Sequence, residues 1–202
     1  APSSPIVTSD TPSTRSKRPN WKWGIISDAV KYKWKLQKVT ENGGVISDVL
    51  IGTTSLNSFT PNIDLGDGYY MLSVTAVDSL NNESDPKSFT IFIDATPPNL
   101  PTITAEDSTR NRKPTWSYSS TSSDVSEYGV IFNNNQEFFT TNTSFTPDTD
   151  LDNGKYTLKV KAKDELDNES GYAEKDVIVY CIPASYDIIS VPSEFDGGAY
   201  TY

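Results

Sequence analysis

Two short acidic runs hold the side chains best suited to chemistry. They are Asp78-Ser-Leu-Asn-Asn82-Glu83-Ser84 and Asp164-Glu-Leu-Asp167-Asn168-Glu169-Ser170. Carboxylate and amide oxygens at this density are hard donors, the kind Ca²⁺ gathers in sixes to eights. The spacing is not that of an EF-hand loop, which fixes its own glycine and its own bidentate glutamate. The plain reading is a turn in which Asp and Asn bond their own backbone. The sharper reading is a calcium site formed where such a turn meets a neighbouring unit. With two units stacked end to end, Asp94 at the close of the first would approach Asp164, Asp167, Asn168, Glu169 and Asp124 of the second.

Other chemistry is thinly supplied. The 202 residues include no histidine, which removes the commonest general base and zinc ligand. The single cysteine, Cys181, excludes an internal disulfide, a cysteine zinc cluster and a CxxC redox pair. A carboxylate pair could act as general acid and base, as in glycosidases, but no pair stands out. No catalytic residue is expected within 1–180. Seventeen basic residues against 27 acidic ones give a net charge of −10, which disfavours nucleic acid as a partner. No apolar run is long enough to span a bilayer, so membrane insertion is not expected. Asn82, Asn142 and Asn168 head Asn-x-Ser/Thr triplets, a pattern too short to carry weight. The chain opens on Ala1 rather than methionine and reads as a processed or cut polypeptide.

The elements that must position these groups are duplicated. Ser58–Ser84 and Ser144–Ser170 align at a constant offset of 86, with 16 of 27 positions identical. Chance would give about two. Upstream, Thr14-Arg15 with Pro19-x-Trp21 matches Thr109-Arg110 with Pro114-x-Trp116 at an offset of 95. The first repeat therefore carries about nine extra residues, placed around Thr40–Thr54. Within each repeat the hydrophobic period is two. Tyr70, Leu72, Val74 and Ala76 alternate with polar positions, as do Tyr156, Leu158, Val160 and Ala162 with a lysine-rich face. The same alternation marks Tyr32/Trp34/Leu36, Phe89/Ile91/Ile93, Tyr128/Val130/Phe132 and Val177/Val179. Trp21, Trp23, Trp34 and Trp116 fall on inward positions and read as core rather than as sugar-stacking platforms.

Short strands with turn signals in units of this size imply an all-β chain of two tandem seven-stranded β-sandwiches. The units are placed at 4–94 and 99–180, with a Pro-rich linker at 95–98 and a tail at 181–202. The early Pro-x-Trp, the late Leu-x-x-Gly-x-Tyr-x-Leu-x-Val-x-Ala-x-Asp run and the Asp-x-Thr-x-Pro linker resemble tandem bacterial Ig-like or fibronectin type III-like domains of secreted and cell-surface proteins. The resemblance covers about 4–180. It implies a tyrosine corner at Tyr70 and Tyr156, an extracellular location, and a non-catalytic spacer or adhesion role that positions other domains of one polypeptide. Such modules also serve as carbohydrate-binding accessories of secreted enzymes.

A binding surface for polysaccharide or a surface protein is suggested by the difference between the repeats. Where the second places lysines on the outer face, the first places Tyr69, Met71 and Val77, and Phe92 should join them from the next strand. The competing reading is packing against a neighbouring domain or beneath the extra segment. Exposed lysines on outer strands would blunt edge pairing, leaving a monomer as the default. In the tail, Ile188–Gly198 weakly resembles the opening strand of formylglycine-generating-enzyme-like domains. On that resemblance a catalytic domain would follow residue 202.

Overall fold

The computed structural model describes residues 1–180, and the expectations for Cys181 and the 181–202 tail lie outside the described residues. The first half of the chain forms β1 (Val7–Ser9), β2 (Ser13–Thr14), β3 (Trp21–Trp23), β4 (Lys31–Val39), β5 (Val45–Thr54), β6 (Ser58–Phe59), β7 (Gly68–Val77) and β8 (Lys87–Ile93). A three-stranded sheet, β1-β3-β6, packs on a five-stranded one, β2-β8-β7-β4-β5. The second half repeats the plan with β9 (Thr102–Thr104), β10 (Ser108–Thr109), β11 (Trp116–Ser119), β12 (Val125–Phe132), β13 (Phe138–Thr140), β14 (Ser144–Phe145), β15 (Gly154–Asp164) and β16 (Ala173–Val179). Its sheets run β14-β11-β9 and β10-β16-β15-β12-β13. Two tandem Ig-like/fibronectin-III-like sandwiches result.

Each sandwich has eight strand segments rather than seven because its first strand is broken. β1 pairs antiparallel with β3, then the chain crosses and β2 runs parallel to β8. Pro12 sits at the crossing; it has no N–H to give, but its carbonyl accepts from Phe92 N at 2.9 Å. In the second sandwich Asp107 does the same for Ile178 N at 3.0 Å.

The two-residue period fixes what is inside. Tyr70, Leu72, Val74 and Ala76 of β7 are buried while Tyr69, Met71, Ser73 and Thr75 stay half-buried on the outer face. Trp21, Leu36, Ile91 and Ile93 complete a fully buried layer, matched by Trp116, Val130, Leu158 and Val177. Burying each such aliphatic side chain stabilises by roughly 1.5–3 kcal/mol relative to exposing it. The Trp21 and Trp116 indoles donate to the carbonyls of Phe89 and Lys175, each at 3.1 Å. Trp23 is buried with its Nε1 unpartnered, its ring edge-on to Tyr32 at 5.5 Å. Trp34 is only half-buried. It lies over Gly52, where a Cβ would stand 2.5 Å from the indole, and against Phe59 at 4.1 Å.

Four sequence expectations change. The Tyr156 hydroxyl donates to Asp152 O at 3.2 Å, as a tyrosine corner should. Tyr70 lies buried beneath the Lys38 ammonium, 5.6 Å above its ring, and makes no equivalent bond among the described residues. Val77 is fully buried, because the chain turns back at the end of β7: Val30 N bonds Val77 O, and Val77 bridges to Glu83. Lys161, expected on a wet face, is buried as well. Finally, the extra residues of the first repeat lengthen the β4–β5 hairpin. The resulting edge strand, β5, carries no lysine and exposes Val45, Ile46 and Ile51.

Candidate functional site at the interdomain joint

The linker between the sandwiches is held at both ends. Asp67, just ahead of β7, accepts from Ala95 N at 2.8 Å and from the Thr96 hydroxyl. Burial works to raise the Asp67 pKa, but the bonds from Thr96 and Ala95 and the nearby Lys17 and Lys38 hold it below the ordinary value. At the other end Asn99 N donates to Ser122 Oγ at 2.8 Å, and the Ser120 hydroxyl donates to Asn99 O at 2.9 Å. Pro98 is buried between these clasps, and Pro101 is buried just past the second. Prolines with fixed φ, clamped from both sides, make this a stiff connection.

Two side chains cross the joint directly. The Asn168 amide donates to Asp94 O at 2.9 Å, and Arg15 Nη1 donates to Asp167 O at 2.8 Å. Asn168 is positioned by its own turn. Asp164 Oδ1 accepts from the backbone N–H groups of Leu166 and Asn168, and its Oδ2 from the Asn168 amide. Asp78 and Asn82 build the same turn in the first sandwich. Asp167 and its counterpart Asn81 adopt left-handed φ of 64° and 61°, a conformation Asn and Asp tolerate.

Against this turn lies a cleft of about 400 Å³, lined by Ser13, Phe92 and Asp94 on one side and Asp124, Val125, Asp164 and Leu166 on the other. Asp94, Asp124 and Asp164 each bring a carboxylate oxygen within 4.8 Å of the other two. Burial raises the Asp94 pKa above the ordinary carboxylate value; a bond from Thr96 N opposes this, and repulsion from Asp164, Asp67 and Asp124 adds to it. Three hard oxygen donors at this separation suit a divalent cation.

The other three expected ligands are turned elsewhere. The Asp167 carboxylate pairs with Lys163 at 2.7 Å, which holds its pKa down, and Glu169 pairs with Lys161 at 2.8 Å. Asn168 directs its amide nitrogen at Asp94 and Asp164, so it acts as a clip rather than an oxygen donor.

The expected apolar strip is reduced to Tyr69, Met71 and Phe92. Tyr69 and Phe92 are cross-strand partners with ring centroids 4.7 Å apart. Burial, and then the adjacent Glu41 carboxylate, raise the Tyr69 hydroxyl pKa. Glu41 comes from the β4–β5 turn, so the extra segment does reach over this face.

Sequence reasoning missed one constellation. Lys161, its side chain 10% exposed, pairs with Glu137 at 3.1 Å and Glu169 at 2.8 Å. Its ammonium lies 5.3 Å from the ring centroids of both Phe139 and Tyr172. The Tyr172 hydroxyl donates to Glu137 Oε1 at 2.5 Å, so one ammonium and one hydroxyl serve the two carboxylates. Arg15 was also missed as a joint residue, although its recurrence with Arg110 was the available signal.

No protein-family model matches the sequence, and no curated protein sequence is similar to it. Among solved structures the chain is similar to the fibronectin(III)-like modules of Clostridium thermocellum CbhA, at 16% identity and a TM-score of 0.41, covering 87% of this chain and 95% of that one. It is similar to the chicken CNTN1 FN1–FN3 domains at 15% identity and a TM-score of 0.41, covering 88% and 68%. A two-domain fibronectin type III segment of chicken tenascin matches at 15% identity and a TM-score of 0.37, covering 88% and 99%. The fold assignment rests on the sheet topology itself.

Proposed function

We propose that the chain is a non-catalytic spacer of a secreted or cell-surface protein, holding flanking domains at a set distance and angle. The observation that carries this is the joint. A proline linker is clasped by Asp67 on one sandwich and by Ser120 and Ser122 on the other, and Asn168 and Arg15 add two direct bonds. A linker that only tethered would need none of these contacts. In this reading calcium, bound by Asp94, Asp124 and Asp164, would offset two of the three negative charges at the joint and stiffen it further. Small-angle scattering tests the spacer. It should give an elongated two-domain particle whose interdomain distance spreads in Asp67→Ala. A collapsed particle, or one indifferent to Asp67, overturns the proposal. Calcium binding should appear by isothermal titration and vanish in Asp124→Asn.

The half-buried Tyr69–Phe92 pair supports a second reading, a polysaccharide-binding accessory module, since paired aromatic faces can stack on sugar rings. Affinity electrophoresis through gels containing soluble polysaccharides separates the two. Retardation lost in Tyr69→Ala favours binding, and unchanged mobility in every gel favours the spacer.

A further inference from the structure

The duplication supplies both halves of a joint twice, and among the described residues one pair is joined. Call the end of a sandwich bearing the β3–β4 loop and the β7–β8 turn its proximal end, and the end where β2 and β8 finish its distal end. In the second sandwich the proximal end is covered by the distal end of the first. Asp164 and Asn168 are buried there and Leu166 is half-buried. Their counterparts at the proximal end of the first sandwich form the same turn, yet Asp78 is half-buried, Asn82 is exposed and Leu80 is 81% exposed. Ile25, on the adjoining loop, is 80% exposed. Ser27-Asp28 stands where Ser123-Asp124 stands in the second sandwich. Ala1-Pro-Ser-Ser-Pro5 follows the spacing of Pro97-Pro-Asn-Leu-Pro101, with Pro2 and Pro5 buried as Pro98 and Pro101 are.

The distal end of the second sandwich is the matching half. Tyr180 N bonds Thr109 O at 3.0 Å as Asp94 N bonds Thr14 O at 3.1 Å. Arg110 stands in the place of Arg15, and Ile178, 51% exposed, stands in the place of Phe92.

We propose that the proximal end of the first sandwich is a docking surface for the distal end of the second sandwich of another copy of this chain. The contacts repeat those of the internal joint. The Asn82 amide donates to Tyr180 O as Asn168 does to Asp94 O. The Arg110 guanidinium donates to Asn81 O, a carbonyl presented by the same left-handed turn as that of Asp167. Leu80 and Ile25 cover Ile178. One difference favours the contact: Tyr180 replaces Asp94, so Asp28 and Asp78 face no third carboxylate and no cation is needed. The contact is head to tail, so it adds copies in line rather than closing a dimer. A patch this small places the association at the weak end, with Kd on the order of 1 mM.

This inference extends the spacer reading, but its failure is separable, because scattering on the single chain reports the internal joint alone. The test is nuclear magnetic resonance of the isotope-labelled 202-residue chain, titrated in chelator with an unlabelled second copy to about 2 mM, bracketing that Kd. Saturable shifts are expected at both 25–30/78–82 and 108–110/178–180. Leu80→Asp and Arg110→Ala, both surface changes, should each weaken them about tenfold or more. Shifts at only one of the two ends, shifts elsewhere such as the β5 edge, full affinity in either variant, or no shift at the highest concentration would each overturn it.

Discussion

Neutralising Asp94 should strengthen the protein. Its carboxylate oxygen lies within 4.8 Å of those of Asp124 and Asp164. Two charges at that distance repel by about 0.9 kcal/mol at the dielectric of water and about 3.5 kcal/mol at an effective value of 20. Asp124 is exposed and Asp94 half-buried, which puts the repulsion toward the lower figure, and salt with a Debye length of about 10 Å trims it further. Asp94→Asn removes two of the three repulsions. It keeps an oxygen to accept from Thr96 N and leaves the backbone carbonyl that Asn168 holds. The expected gain near neutral pH, in chelator, is about 1–2 kcal/mol, or several degrees in calorimetric Tm. Because the folded pKa of Asp94 is raised, the native state binds more protons than the unfolded chain between 3.8 and the folded value. Stability is therefore lost as pH rises through that window, and regained as pH falls through it. The advantage of the variant should be full at pH 7, shrink through the window and disappear below it. Saturating calcium should reverse the order, since only the wild type would keep all three donors. A variant that is neutral or less stable in chelator at pH 7, or equally favoured under acid, would refute this account of the cluster.

Three further expectations concern packing and charge. Trp21→Phe strands the Phe89 carbonyl while Trp23→Phe removes a donor that has no partner, so the first should cost about 1–2 kcal/mol more in urea unfolding. Equal costs would mean the Trp23 nitrogen is satisfied in solution. Tyr156→Phe should cost about 0.5–1.5 kcal/mol through loss of the bond to Asp152 O, whereas Tyr70→Phe should be near neutral, both read by the same unfolding curves. Lys161→Met leaves Glu137 and Glu169 facing one another. Both keep some solvent, so the loss should be about 1–2 kcal/mol, partly recovered by adding Glu137→Gln. Burial lowers the Lys161 pKa, but bonds to Glu169, Glu137 and Tyr172 outweigh it and hold the pKa well above the ordinary lysine value. The difference from wild type should thus persist undiminished to about pH 10 and fade above that, where the lysine of the unfolded chain gives up its proton while folded Lys161 keeps it.

The alternation of buried and exposed residues was readable because strand geometry maps sequence parity onto face. That is why parity alone puts Tyr69 and Phe92 together across two strands. Parity does not say what lies over a face. Lys161 has the parity of a surface lysine and is buried, because strand pairing brings Phe139 from β13 and Tyr172, just ahead of β16, over it. Parity also fails at strand ends, where Val77 is covered by the returning chain. The meeting of Asp94 with Asp124 and Asp164 was legible from duplication and end-to-end stacking; the orientation of Asp167 and Glu169 was not.

For Glu169 the missing information is in the repeat itself. Glu83 and Glu169 occupy the same place in the same turn, and each bridges back to its strand, to Val77 and Lys163 respectively. In the second sandwich Glu169 finds its cation on β15, at Lys161. The first sandwich has Thr75 at that position, and Glu83 instead pairs with Lys33 of the neighbouring β4 at 2.5 Å. A carboxylate answered by a lysine from a different strand in each copy is anchoring the turn, and that requirement survives whichever strand supplies the charge. Asp164 is different. Its bonds are all to N–H groups of its own turn, which leaves its oxygens free of any lysine and facing Asp94 across the joint. Set side by side, the two copies thus separate the acids that fasten the turn from the acids that meet at the joint, a distinction that residue type and spacing alone could not make.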